Sequence, residues 1–159
     1  MQEREYCFKV YDLEKSKNFC KSSGFALNSE TEQIRTIFRK PDKTMARITE
    51  DRFGDSVKFS LDFKEDKLNN ESLTVRRESM ALEFVEIEPV LSILEFLGYE
   101  KDNILHRQRW MYQKGDIVCE IDLYDNDEKT IVVSIEGNDY VGVDAFYQKF
   151  REELREDEK

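Results

Sequence analysis

The most regular part of the chain is residues 56–64, which have the sequence SVKFSLDFK. Every second side chain from Val57 to Phe63 is apolar, and those between them are polar or charged. This period of two is typical of a β-strand, whose successive side chains lie on opposite faces. The stretch therefore predicts a strand with one apolar face and one charged face.

Similar segments occur on both sides of this strand. They are residues 2–10, 33–40, 44–50, 72–84, 104–113, 116–124 and 130–136. Turn residues separate several of them, as at Pro41-Asp42-Lys43, Gly54-Asp55 and Gly115-Asp116. The pattern predicts about eight strands, and the short turns favour a mostly antiparallel sheet.

Three helices are predicted between and after the strands. Asp12 can cap a helix that extends to about Cys20, and residues 86–97 place five apolar side chains on one helical face. Asp144 can open a closing helix over about residues 143–157. Strands and helices together predict an α+β fold.

Length and charge restrict the class of protein. The 159 residues suit a single domain, 1–159, and the 38% charged content is accompanied by 12% aromatic residues, which favours a folded chain. A net charge of −10 disfavours binding to nucleic acid or to a membrane surface. Three cysteines without a Cys-x-x-Cys spacing, and no secretory signal, indicate a cytoplasmic protein.

The polar faces of the predicted strands carry acids and bases in equal number. The acids are Glu3, Glu5, Asp62, Glu83, Glu120, Asp122 and Glu136. The bases are Lys9, Arg47, Lys58, Lys64, Arg77, Arg107 and Arg109. This face is therefore neutral, and the net negative charge of the chain lies elsewhere.

Two architectures are compatible with such a face. An open antiparallel sheet with one solvated face is the simpler one. The alternative is a closed eight-stranded antiparallel β-barrel, a tunnel with flanking helices and the charges inside. Charges within a small barrel must be paired, hydrated or bound to a ligand, because their desolvation is costly. A barrel would thus be a ligand tunnel.

A mixed face of this kind suits a phosphate-rich ligand. Arginine and lysine bind phosphate oxygens, and arginine offers two parallel donors. Carboxylates repel phosphate unless they hold a cation such as Mg²⁺ or Mn²⁺. The composition of the face therefore indicates a metal-assisted phosphate site.

Eight short motifs follow one another over roughly residues 2–138. The first four are Glu3-Arg4-Glu5-Tyr6-Cys7, Ala46-Arg47-Ile48-Thr49, Leu61-Asp62-Phe63-Lys64, and Arg77 followed by Glu83. The others are Leu97-Gly98-Tyr99, Arg107-x-Arg109-x-x-Tyr112, Glu120-Ile121-Asp122 and Ser134-Ile135-Glu136-Gly137. These motifs resemble those of the CYTH domain superfamily, also called triphosphate tunnel metalloenzymes. Their order along the chain carries the resemblance more than any single motif does.

The chain departs from the family pattern at four positions. Cys7 replaces a lysine, Thr49 an arginine, and Ala81 and Ser134 each replace one glutamate of a pair. These departures leave open how many metal ions bind and whether the site is catalytic.

The resemblance implies an eight-stranded tunnel and roles for the charged residues. The expected metal ligands, for Mg²⁺ or Mn²⁺, are Glu5, Asp122 and Glu136, with Glu3, Glu83 and Glu120 as further candidates. The expected phosphate-binding residues are Lys9, Arg47, Lys64, Arg77, Arg107 and Arg109. The expected catalytic residues are Glu5, Arg47, Lys64, Arg107 and Arg109. The only histidine, His106, lies on the opposite strand face and is expected at the surface.

Three functions follow from the resemblance. The first is metal-dependent hydrolysis of a small triphosphate, which could be a nucleotide, thiamine triphosphate or tripolyphosphate. The second is a class IV-type adenylate cyclase, which makes cyclic AMP from ATP. The third is a non-catalytic module that binds a phosphorylated ligand or a protein. The sequence leaves a homodimer open.

Overall fold

The computed structural model describes residues 2–42, 44–68 and 73–154, without the side chains of residues 2, 66–68 and 73–78. Nine strands occur in this part of the chain. They are β1 (Gln2–Val10), β2 (Ala26–Arg39), β3 (Met45–Phe53), β4 (Ser56–Leu68), β5 (Leu73–Glu78), β6 (Leu82–Phe84), β7 (Glu100–Lys114), β8 (Ile117–Tyr124) and β9 (Ile131–Gly137). The helices are α1 (Leu13–Ser22), α2 (Ile87–Phe96) and α3 (Tyr140–Glu153).

All nine strands belong to one antiparallel sheet. Neighbouring strands follow the order β3-β2-β7-β8-β9-β1-β5-β4-β6, and β3 also pairs with β4 along its whole length. Eight of the strands have six or more residues, and β6 has three. The predicted α+β class, with eight main antiparallel strands and three helices, is confirmed.

The single strand predicted over residues 72–84 is wrong, because two short strands form there. Glu78 is the last residue of β5 to pair with β4, and Leu82 is the next one to do so. Between them, Ser79 exchanges two hydrogen bonds with the backbone of Phe63: its N–H donates to the carbonyl at 3.0 Å, and its hydroxyl accepts from the amide at 2.8 Å. This side-chain contact interrupts the ladder.

The closing helix begins earlier than predicted. Asp139, not Asp144, is its N-cap, and its carboxylate accepts a hydrogen bond from the Gly142 amide at 3.0 Å. Asp144 lies within α3 and accepts hydrogen bonds from the Arg4 guanidinium and the Tyr6 hydroxyl, both at 2.8 Å. Asp144 therefore fastens the helix to β1.

The helices cover the apolar face of the sheet in two clusters. The larger cluster packs α1 and α3 against β1, β8 and β9, and Phe150 is fully buried in it, edge-on to Phe8 and Phe19. The smaller cluster packs Leu94 of α2 against Ile48 and Leu61. Because one face of the sheet is covered in this way, its charged side chains are directed to the other face.

Candidate functional site

The charged face lines a cavity of about 230 Å³. Its charged residues are Glu5, Arg35, Arg47, Lys64, Arg107, Arg109, Glu120, Asp122 and Glu136. They come from seven strands, because alternation along each strand places every second side chain on this face. Five bases and four acids give the lining a positive formal charge, in a chain whose net charge is −10.

Strand register brings opposite charges side by side. Arg109 pairs with Asp122 across β7 and β8, and Arg47 pairs with Asp62 across β3 and β4. Arg47 and Asp62 also form a buried ion pair, with Nε to Oδ1 at 3.1 Å. Cross-strand neighbours of opposite charge stabilise a sheet and hold each other in place.

Arg109 has the most extensive set of carboxylate partners in the cavity. Its Nε and Nη2 atoms donate to the two oxygens of Asp122 at 2.7 and 2.8 Å, and its Nη1 contacts Glu120. Burial lowers the pKa of Arg109, but Glu120 and Asp122 outweigh burial and raise it above its ordinary value. Arg109 is therefore a fixed cation.

Arg107 is held by neutral and charged partners and keeps one unsatisfied donor. Its Nε donates to Gln33 at 2.9 Å, and its Nη1 donates to the Tyr124 hydroxyl at 3.1 Å and lies 3.3 Å from Asp122. Its Nη2 is buried, and no residue of the described part accepts a hydrogen bond from it. An unpaired buried N–H is unfavourable, so this atom is suited to an anionic ligand.

Three carboxyl groups meet on the β1, β8 and β9 side of the cavity. Glu136 is in hydrogen-bonding contact with both Glu5 and Glu120. Burial, and then the charges of Glu120 and Glu5, raise the pKa of Glu136 well above its ordinary value. For Glu120, burial opposes ionisation, but the Arg109 guanidinium lowers its pKa to about 2. The protonated form of Glu136 is therefore favoured.

These three carboxyls suit a hard divalent cation. Mg²⁺ and Mn²⁺ prefer carboxylate oxygens, and a cation would relieve the repulsion that raises the pKa of Glu136. Within the described residues, no group of three His, Cys, Asp or Glu side chains is already arranged around a metal position. Both oxygens of Asp122 are engaged by arginine donors, which makes it a less suitable ligand.

The structure brings together most of the predicted site residues. Those that line the cavity are Glu5, Arg47, Lys64, Arg107, Arg109, Glu120, Asp122 and Glu136. Three do not line it. Glu3 is half-buried, Lys9 is exposed and lines a different pocket, and Glu83 forms an exposed ion pair with Lys58 at 2.6 Å. The side chain of Arg77 lies outside the described residues.

Arg35 also lines the cavity, although it is not among the site residues predicted from the sequence. It lies on β2 between Gln33 and Ile37, two further residues that face the site. The alternation within residues 33–40 could have identified Arg35, since it shares a strand face with Gln33.

The positions that depart from the family pattern lie in different surroundings. Cys7 and Ser134 line the cavity, and the Cys7 Sγ lies 3.8 Å from the Ser134 Oγ. Thr49 is buried next to Arg35. Ala81 is exposed and does not line the cavity.

His106 is exposed, as predicted. In the described part of the chain, no helix has both the length and the apolar character needed to cross a membrane.

Comparison with known proteins gives similarity at the level of structure. No family model matches the chain, and no curated protein matches it. The PH1012 protein from Pyrococcus horikoshii OT3 is similar to it, with a TM-score of 0.74, 20% identity, and coverage of 98% of this chain and 93% of that one. Identity at this level supports the fold alone.

Two other similar solved structures come from proteins that are described in different terms. One is a candidate adenylyl cyclase from Hippeastrum, HpAC1, described as having a dominant triphosphatase activity, with a TM-score of 0.67, 15% identity and coverage of 96% and 87%. The other belongs to the Schizosaccharomyces pombe Mediator head module, with a TM-score of 0.67, 14% identity and coverage of 98% and 95%. The chain therefore has the CYTH-type fold that the sequence motifs predicted.

Proposed function

We propose that the chain is a metal-dependent hydrolase of a triphosphate-containing substrate. The observation that carries the proposal is one cavity that contains both a cluster of bases and a cluster of three carboxyls. Bases alone would suit any anion, and carboxyls alone any cation. Their combination suits an anion that binds together with a divalent cation, as a triphosphate does.

We further propose that the sheet is closed into a tunnel. Residues from seven strands converge on one cavity of about 230 Å³, which is difficult for a flat sheet. The additional pairing of β3 with β4 supports closure, because it joins β3, at one end of the strand order, to β4, which is followed only by the three-residue β6 at the other end. A closed, tilted barrel of this size encloses a small ligand.

Glu5, Glu120 and Glu136 would hold Mg²⁺ or Mn²⁺. When bound, the cation supplies charge neutralisation for the phosphate oxygens. We assign Asp122 to positioning, since it fixes the orientation of Arg109 by two hydrogen bonds. Glu3 and Glu83 are not included, because they lie outside the cavity.

The basic residues would bind and orient the phosphate chain. The unsatisfied Arg107 Nη2 donor, together with Arg47, Lys64 and Arg109, can contact its oxygens. Water would attack the terminal phosphorus in line with the leaving oxygen, and the fixed cations would stabilise the charge on the leaving group. Glu5 would act on the phosphate chain through the cation that it helps to hold. No covalent nucleophile is required.

Two other functions have specific support. HpAC1 is described both as a candidate cyclase and as a triphosphatase, so cyclisation of ATP by its ribose 3′-hydroxyl is the second candidate. The Mediator neighbour and the departures at Cys7, Thr49 and Ser134 favour a binding module without turnover. We also propose a cytoplasmic location, since all three cysteines are free thiols.

Product analysis separates these functions. The protein is incubated with tripolyphosphate, ATP and thiamine triphosphate in Mg²⁺, Mn²⁺ or EDTA. Metal-dependent release of phosphate supports the hydrolase, and cyclic AMP with pyrophosphate from ATP supports the cyclase. Stabilisation by tripolyphosphate without any product supports the binding module and contradicts both enzymes.

A further inference from the structure

Four arginine side chains line the cavity, and three of them form ion pairs. The pairs are Arg47 with Asp62, Arg107 with Asp122, and Arg109 with Asp122 and Glu120. Arg35 differs, because it forms no ion pair with any residue that the structure describes. Its guanidinium is thus the least neutralised of the four.

Arg35 is nevertheless held in a defined position. It lies directly opposite Thr49 across β2 and β3, and its Nε donates to the Thr49 hydroxyl at 3.1 Å. Thr49 is buried and is fixed by the β3 backbone. This bond uses the inner nitrogen of the guanidinium, and the described residues accept no side-chain hydrogen bond from the two terminal nitrogens.

The surroundings of Arg35 favour an anionic partner. Burial, and then the charges of Arg107, Arg47 and Arg109, lower the pKa of Arg35 well below its ordinary value. Arg35 is half-buried, and a cation that is partly desolvated among other cations is costly unless an anion compensates it. The negative charge of Glu120 opposes this shift, but no described residue supplies an anion within ion-pair distance of Arg35.

We infer that Arg35 is the principal phosphate-binding side chain of the cavity, and that Thr49 is its positioning residue. The three paired arginines share their donors with carboxylates, whereas Arg35 can direct both terminal nitrogens to one phosphate group in a bidentate contact. The inference rests on the proposed triphosphate ligand. It does not depend on whether that ligand is hydrolysed.

The test is calorimetric titration with a methylene-bridged analogue of tripolyphosphate, which resists hydrolysis, in Mg²⁺ buffer. Arg35→Gln is expected to raise the Kd by about 10- to 100-fold, the loss typical of a hydrogen-bonded charged group. Arg39→Gln is the matched control, since Arg39 lies on the same strand but is exposed and pairs with Asp102 at 2.9 Å. It is expected to change the Kd by less than about two-fold.

Three more variants keep the inference testable. Arg35→Lys retains the charge without the two parallel donors, so its Kd is expected to lie between those of the unaltered protein and Arg35→Gln. If Arg35→Gln fails to fold, Arg35→Lys still tests the inference. Thr49→Val removes the hydroxyl and is expected to weaken binding by about 3- to 10-fold. Thr49→Ser retains the hydroxyl and is expected to bind as tightly as the unaltered protein. A purely structural role of Thr49 predicts no such rescue by the hydroxyl.

The outcomes separate this inference from the proposed function. Undiminished binding by Arg35→Gln, or by Arg35→Lys, overturns the inference and leaves the proposed function in place. Absence of binding by the unaltered protein contradicts the proposed function, and the inference with it.

Discussion

Arg109 and Asp122 form two parallel hydrogen bonds across β7 and β8, from Nε to Oδ1 at 2.7 Å and from Nη2 to Oδ2 at 2.8 Å. Asp122 is 2% exposed and also contacts Arg107. Removal of one partner of a buried ion pair leaves an uncompensated charge. Asp122→Ala is therefore expected to lower the free energy of unfolding by about 3–5 kcal/mol in urea denaturation.

The control for this prediction is Asp102→Ala. Asp102 pairs with Arg39 at the surface, and both side chains are about half exposed. Its loss is expected to change the free energy of unfolding by less than about 1 kcal/mol. Equal effects of the two substitutions contradict the importance assigned to the buried pair.

The pH dependence of stability is expected to report on Glu136. Its folded-state pKa is raised well above the ordinary value of 4.5. Above about pH 4.5, Glu136 of the unfolded chain loses its proton, whereas Glu136 of the folded protein keeps its proton up to the raised pKa. In EDTA, stability therefore decreases as the pH rises from about 4.5 to the folded pKa, by about 1.4 kcal/mol per pH unit.

Glu136→Gln should lack this decrease, because glutamine does not titrate. The measurement is the free energy of unfolding in urea at several pH values above about 4.5. Glu120, whose pKa is lowered to about 2, stays ionised across this range and does not mask the effect. Parallel profiles for the two proteins refute the assignment.

Thiol reactivity is expected to distinguish the three cysteines. Cys20 and Cys119 are fully buried with their sulfur atoms 3.6 Å apart, and burial, followed by Cys20, raises the pKa of Cys119. Cys7 is exposed at the cavity. In the folded protein, a disulfide reagent that releases a chromophore should titrate one thiol rapidly, since reactivity requires exposure and thiolate character.

The Cys7→Ser variant should show no rapid thiol in the folded state and two thiols in denaturant. A rapid reaction that persists in this variant would place Cys20 or Cys119 within reach of solvent, contrary to the structure.

The attachment of α3 to β1 is expected to depend on Asp144. This carboxylate accepts hydrogen bonds from Arg4 and Tyr6, and both its own side chain and that of Arg4 are partly exposed. Asp144→Asn is expected to lower the free energy of unfolding by about 1–2 kcal/mol, measured by urea denaturation. The same loss from exposed Asp127→Asn would show that the effect is not specific to this contact.

Much of the site follows from local alternation in the sequence. The strand that contains Asp62 and Lys64 is regular, so the face that carries them could be predicted. The same alternation identified Arg107, Arg109 and Asp122. Their pairing could not be predicted, because it depends on the register between β7 and β8.

The predictions for Glu83 and Asp144 were wrong because the positions of these residues depend on contacts with other segments of the chain. Glu83 was expected in the cavity, but the contact of Ser79 with Phe63 divides the strand and Glu83 pairs with Lys58 outside it. Asp144 is a residue type that often caps helices, and its actual partners, Arg4 and Tyr6, are about 140 residues away in the sequence. Local patterns contain no information about such contacts.

The most direct test of metal-dependent hydrolysis is the rate of phosphate release from tripolyphosphate. We expect release in Mg²⁺ or Mn²⁺ and none in EDTA. Glu136→Gln should reduce the rate by about 100-fold or more at an unchanged fold, whereas the exposed-surface control Glu95→Gln should keep it. A rate that is unchanged in Glu136→Gln, or no release by the unaltered protein, contradicts the account.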